Sequence, residues 1–127
     1  MPPRRRVKGN AMKYLCLVYG EESRLQEMDD HECVAYDEEL RRRRLCLASE
    51  ALQPVRTAVT VRVRGGRVTV SDGPYAETKE TLAGFYLIEA ADLNEAIQVA
   101  AGIPPAQIGS VEVRPIRQLE GRPRHDG

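Results

Sequence analysis

Residues 71–80 read SDGPYAETKE, so Asp72, Glu77, Lys79 and Glu80 crowd around a Gly73-Pro74 pair between two strand-like segments. Carboxylates beside a cation have two uses. In a solvated loop they form exposed ion pairs worth about 0–1 kcal/mol. Against a pocket wall they become an acid/base group and a holder for an anionic oxygen, chemistry suited to proton abstraction from a small carbonyl or enolic compound. The turn favours the pocket. Pro74 fixes its own φ and Gly73 reaches conformations closed to other residues, so the charges leave the turn in a set direction. Asp72 also has a local use, since Asp before Gly-Pro bonds its own turn backbone.

SVEVRPI at 110–116 adds two more charges. Val111 and Val113 alternate with Glu112 and Arg114, which puts the charged pair together on one face of a strand. Asp72 or Glu77 is therefore the expected acid/base, with Lys79 and Arg114 holding the developing anion. Glu80 and Glu112 are expected beside the substrate, and Tyr19 and Tyr86 are the nearby sources of a hydroxyl.

Metal and cofactor chemistry lack their usual residues. Cys16, Cys33 and Cys46 form no CxxC pair, and His31 and His125 are the only histidines. A zinc site wants clustered Cys and His. Gly65-Gly66 stands without a GxGxxG or P-loop pattern, so it reads as turn chemistry rather than a phosphate cradle. A cofactor-independent site with no metal is the expectation. The 127 residues carry 19 basic and 19 acidic side chains, so no global field steers the chain toward nucleic acid. No apolar run reaches the roughly 18 residues of a membrane span. The N-terminal MPPRRRVKGNA lacks the apolar core of a secretory signal, and the cysteines read as free thiols, so a cytoplasmic location is expected.

These side chains must be positioned by a single domain. Residues 1–11 read as a disordered extension, 12–117 as the folded unit and 118–127 as a flexible tail. KYLCLVY (13–19) alternates Tyr14, Cys16 and Val18 against Leu15, Leu17 and Tyr19, a strand with two apolar faces. Asp29 and Glu32 make a capping box ahead of a helix whose apolar stripe is Cys33, Tyr36, Leu40 and Leu47. The arginine run 41–44 closes that helix, where cations complement its dipole. TAVTVRVRGGRVTV is a hairpin turning at Gly65-Gly66. AGFYLIEA sets Phe85 and Leu87 against Tyr86 and Ile88, a second two-faced strand, and Gly84 permits close backbone approach as the chain re-enters the sheet. Asp92 and Glu95 cap a second helix burying Leu93, Ala96, Ile97 and Ala100. The order is β-α-β-hairpin-β-α-β, an α+β ferredoxin-like pattern with an antiparallel sheet and an added hairpin. Two helices cover one sheet face. The second face of the two-faced strands then calls for another copy of the chain, a homodimer with sheet against sheet.

DGPYAETKE, GFYLIEAADLNEAIQVAA and GSVEVRP, with MKYLCLVYG at the start, closely resemble the DGPF branch of the YCII-related family over roughly residues 12–116. Tyr75 stands where that branch usually has phenylalanine. The resemblance implies a dimeric α/β barrel and includes the charged loop in its motif. Better-known YCII proteins carry a proposed catalytic histidine near the start of the first helix. Matching on Val34-Ala35-Tyr36 puts Cys33 at that place, with His31 two residues away. Members of the branch are often encoded beside extracytoplasmic-function sigma factors. Two functions follow as expectations: a small-molecule binder or acid/base enzyme without a cofactor, and a non-catalytic dimeric regulator working with a sigma factor.

Overall fold

The computed structural model describes residues 11–123. Residues 1–10, most of the expected N-terminal extension, and 124–127, the end of the expected tail, lie outside the described residues. β1 (Met12–Gly20) keeps the predicted alternation, with Tyr14, Cys16 and Val18 buried and Leu15, Leu17 and Tyr19 half-buried. A single helical turn that no sequence signal announced, α1 (Glu22–Leu25), follows. α2 (Asp30–Arg42) starts where Asp29 accepts a hydrogen bond from the His31 backbone N–H at 2.9 Å. Asp29 is thus the N-cap, as expected, although its side chain bonds the residue before Glu32. The helix ends inside the arginine run, with Arg41 and Arg42 in its last turn and Arg44 turned to φ 59°.

β2 (Cys46–Ala51) comes next. Leu47, expected on the α2 stripe, belongs to this strand because the helix has already stopped. A 3-10 turn (Val55–Thr57) leads into the hairpin β3 (Val59–Arg64) and β4 (Arg67–Asp72). Gly65 and Gly66 turn it with φ of 55° and 78°, the left-handed pair a two-residue hairpin loop needs. β5 (Thr81–Ala90), α3 (Leu93–Gly102), a second 3-10 turn (Pro104–Gln107) and β6 (Ser110–Pro115) complete the chain.

Four strands form an antiparallel sheet in the order β2-β5-β1-β6, and β3 and β4 pair only with each other. This is the expected ferredoxin-like α+β arrangement, with the two strands that are apolar on both faces at its centre. The helices cover one face, over a core that includes Cys16, Ile88, Leu40 and Ile103. Tyr36 of α2 donates its hydroxyl to the Val99 carbonyl of α3 at 2.6 Å, which locks the helices side by side. On α3 the buried stripe is Ala96, Val99 and Ala100, running on to Ile103. Leu93 and Ile97, expected inward, are half-exposed. Val99 and Ile103 take the inward places beside Ala96 and Ala100 instead. Gly84 meets its expectation too: a Cβ there would stand 2.7 Å from the Glu50 carbonyl oxygen of β2.

Candidate functional site

Between α1, the first half of α2 and the β2–β5 edge lies a pocket of about 420 Å³. Its walls are mainly apolar, from Val18, Leu25, Met28, Val34, Leu52 and Phe85. Polar groups from α1, α2 and β2 interrupt them, the usual make-up of a small-molecule site.

Asp37 of α2 is the most heavily partnered of them. It lies one turn after Cys33 and one before Arg41, so it points the same way as the helix's inward stripe. Its Oδ1 accepts the Ser49 hydroxyl at 2.6 Å and the Cys46 thiol at 3.4 Å, while Oδ2 accepts Arg41 Nε at 2.8 Å. Burial by itself would push the Asp37 carboxyl up. The hydrogen bonds from Ser49, Arg41 and Cys46 outweigh it and hold the group below the usual carboxylate range. Asp37 is therefore an oriented, ionised acceptor.

Tyr86 of β5 faces the same pocket from the sheet. Register explains the pairing: Ser49 stands directly opposite Tyr86, so the Asp37 donor and the phenol share one patch of the helix-covered face. The Tyr86 ring meets the Tyr36 ring edge-on, with centroids 6.3 Å apart. Burial, then the neighbouring Cys33 and Asp37, raise the Tyr86 pKa well above the phenol range, so its hydroxyl stays protonated as a donor. The thiols are poor nucleophiles. Burial, followed by the hydrogen bond to Asp37, pushes Cys46 to about 11. Burial, with Asp30 and Glu32 adding to it, raises Cys33. Among the described residues no His/Cys/Asp/Glu cluster has the makings of a metal site.

Of the residues expected at a site, Tyr86 is the one on the wall of this pocket. The others fall on the opposite sheet face or in the loop. Glu112 and Arg114 project from the helix-free face of β6 and pair with each other at 3.3 Å, both largely exposed. Tyr19 is half-buried on the same face of β1, opposite Ser110, whose hydroxyl donates to Glu80 Oε1 at 2.8 Å. Glu80 and Tyr19 thus share a neighbour. Asp72 closes β4 opposite Val59, and Asp72, Glu77 and Lys79 are exposed, with no ion-pair partner among the described residues. Sequence reasoning passed over Asp37, Ser49 and the Cys46 thiol. One signal existed: a carboxylate at 37 interrupts the apolar stripe of 33, 36 and 40.

A profile of the YCII-related domain matches residues 12–120. The chain belongs to the YCII-related family. An uncharacterized protein of Rhizobium meliloti (strain 1021) is 49% identical to it over 67 residues, which is 51% of this chain and 54% of that protein. The match therefore spans about half the length of this curated relative. The YCII-related domain contains both the pocket and the charged 71–80 loop. Among the described residues no helix is long and apolar enough to cross a membrane.

Proposed function

We propose that this YCII-related protein takes a small, neutral carbonyl or enolic compound into the pocket between α2 and the β2–β5 edge and acts on it by proton transfer, without a cofactor. One observation carries the reading: an ionised acceptor, Asp37, and a protonated donor, Tyr86, both line one mainly apolar chamber. Glu22, Asp30, Asp37 and Glu50 line it, and among the described residues no Lys or Arg does, so a neutral compound suits it better than an anion. Asp37 would remove a proton next to the carbonyl, and Tyr86 would hydrogen-bond the oxygen as negative charge builds there. Ser49 and Arg41 keep the carboxylate aimed. The free thiols of Cys16, Cys33 and Cys46 fit a reducing cytoplasm. Self-association belongs to the proposal, supported by the helix-free sheet face, where among the described residues Leu15, Leu17, Tyr19 and Leu87 have no covering element.

The test is a fragment library of small carbonyl and enolic compounds screened by two-dimensional NMR. Hits should shift the resonances of Val34, Leu52 and Phe85 in wild type and lose that effect in Asp37→Asn. Binding confined to the 71–80 loop and Arg114, or binding untouched by Asp37→Asn, would return the site to the charged loop.

A further inference from the structure

The β3–β4 hairpin is the odd element of the fold. Val59, Val61, Val63, Val68 and Val70 line one of its faces in cross-strand register, each 57–66% exposed, and Asp72, opposite Val59, stands at the base of that face. The other face carries Thr60, Arg62, Arg64, Arg67, Thr69 and Ser71. A two-stranded hairpin is at best marginally stable alone, and five exposed valines make it worse off in water than a polar hairpin would be.

The arm is nevertheless firmly rooted. Gly73 N–H donates to the Ala58 carbonyl at 2.8 Å, and the Thr60 hydroxyl donates to the Gly73 carbonyl at 2.9 Å. Just before it, Val55 N–H donates to Glu22 Oε2 at 2.7 Å, tying the approach segment to α1. The hairpin stands on a braced base, and among the described residues nothing covers its valines.

We infer that the valine face of the hairpin docks on a second copy of this chain, as an arm that completes the subunit interface begun by the helix-free sheet face. The area decides for a second copy. The valines expose on the order of 400 Å², about where apolar patches on monomers begin to mark contacts. The sheet-face side chains, already half-buried against one another, expose on the order of 200 Å², well short of the roughly 800 Å² per partner of a standard interface. Together with a polar rim the two surfaces reach that size. A two-fold axis lets each arm cover its partner, so both uncovered surfaces of one chain are satisfied by one contact. A foreign partner on the arm would leave the sheet face bare. This inference rests on the self-association proposed above, and the experiment separates the two.

Sedimentation equilibrium on the full chain should find a dimer in wild type. Val61→Thr with Val70→Thr keeps strand-forming side chains while removing apolar contact, and should weaken the dimer at least about tenfold. Thr69→Lys, on the polar face of the same arm, should leave it unchanged. A photocrosslinking phenylalanine analogue at position 61 should join two chains, with the linked peptide in 13–19 or 82–89. Val61→Thr with Val70→Thr dimerising as tightly as wild type, or links only within one chain, would overturn the arm while leaving a sheet-face dimer standing. A wild-type monomer at 100 μM would overturn both. If the double variant fails to fold, the crosslink in the otherwise wild-type chain decides alone.

Discussion

Two regions of this chain carry carboxylates close to a cation or a hydroxyl, and they differ in what surrounds them. In the 71–80 loop, Asp72, Glu77 and Lys79 are exposed to water, and the Glu80 carboxylate accepts the Ser110 hydroxyl. On α2, Asp37 is 23% exposed and takes hydrogen bonds from Ser49, Cys46 and Arg41 inside the wall of an apolar pocket. Charge density in sequence is greater in the loop, and electrostatic organisation in space is greater at Asp37. Water screens the first set, while the second acts where desolvation strengthens each interaction. What prepares a carboxylate for chemistry is its satisfied surroundings rather than the number of its charged neighbours.

The comparison breaks hardest at the pocket floor. Tyr86→Ala deletes a buried aromatic packed on Tyr36 and should cost about 3–5 kcal/mol, read as a lowered urea midpoint. An effect below about 1 kcal/mol would mean that the ring does not pack as described. Next comes Asp37→Ala. It leaves the Ser49 hydroxyl, the Cys46 thiol and Arg41 without their acceptor and should cost about 1–3 kcal/mol in the same assay.

The origin of these effects shows which features a sequence displays. Strand alternation exposed the two faces of β1 and β5, because side chains in a strand point alternately and each residue declares its own face. The N-caps Asp29 and Asp92, the Gly65-Gly66 turn and the close approach at Gly84 were legible for the same reason, each being a local constraint. The pocket was not. Ser49 reaches Asp37 only because β2 pairs with β5 in a register that sets it opposite Tyr86, a fact no local pattern carries. Asp37 itself sits within an apolar stripe and reads as an interruption until its partners are in place. Conversely, DGPYAETKE is conspicuous in sequence and lies outside the pocket, since exposed charges cluster without any requirement from the core.

Acidity sharpens the contrast further. The Asp37 carboxyl is held below its unfolded value, so its contribution to stability is complete above the ordinary carboxylate pKa of about 3.9 and is lost as pH falls through the depressed folded value. The stability gap between wild type and Asp37→Asn should therefore be widest near neutral pH and shrink on acidification below about pH 4. A gap that widens in acid would reverse the sign and contradict the hydrogen-bond assignment. The smallest effect belongs to the loop: Glu77→Gln should leave the melting temperature where it is in wild type, since the side chain has no ion-pair partner among the described residues.

The most direct measurement is the affinity of one pocket-binding carbonyl compound, found by the NMR screen, for four proteins in parallel by calorimetry. These are wild type, Asp37→Asn, Tyr86→Phe and Glu77→Gln. Loss of a charged acceptor or of a phenolic donor should weaken binding at least about tenfold in Asp37→Asn and Tyr86→Phe, with Glu77→Gln indistinguishable from wild type. Unchanged binding in Asp37→Asn and Tyr86→Phe together with loss in Glu77→Gln would contradict the account and place the chemistry in the loop.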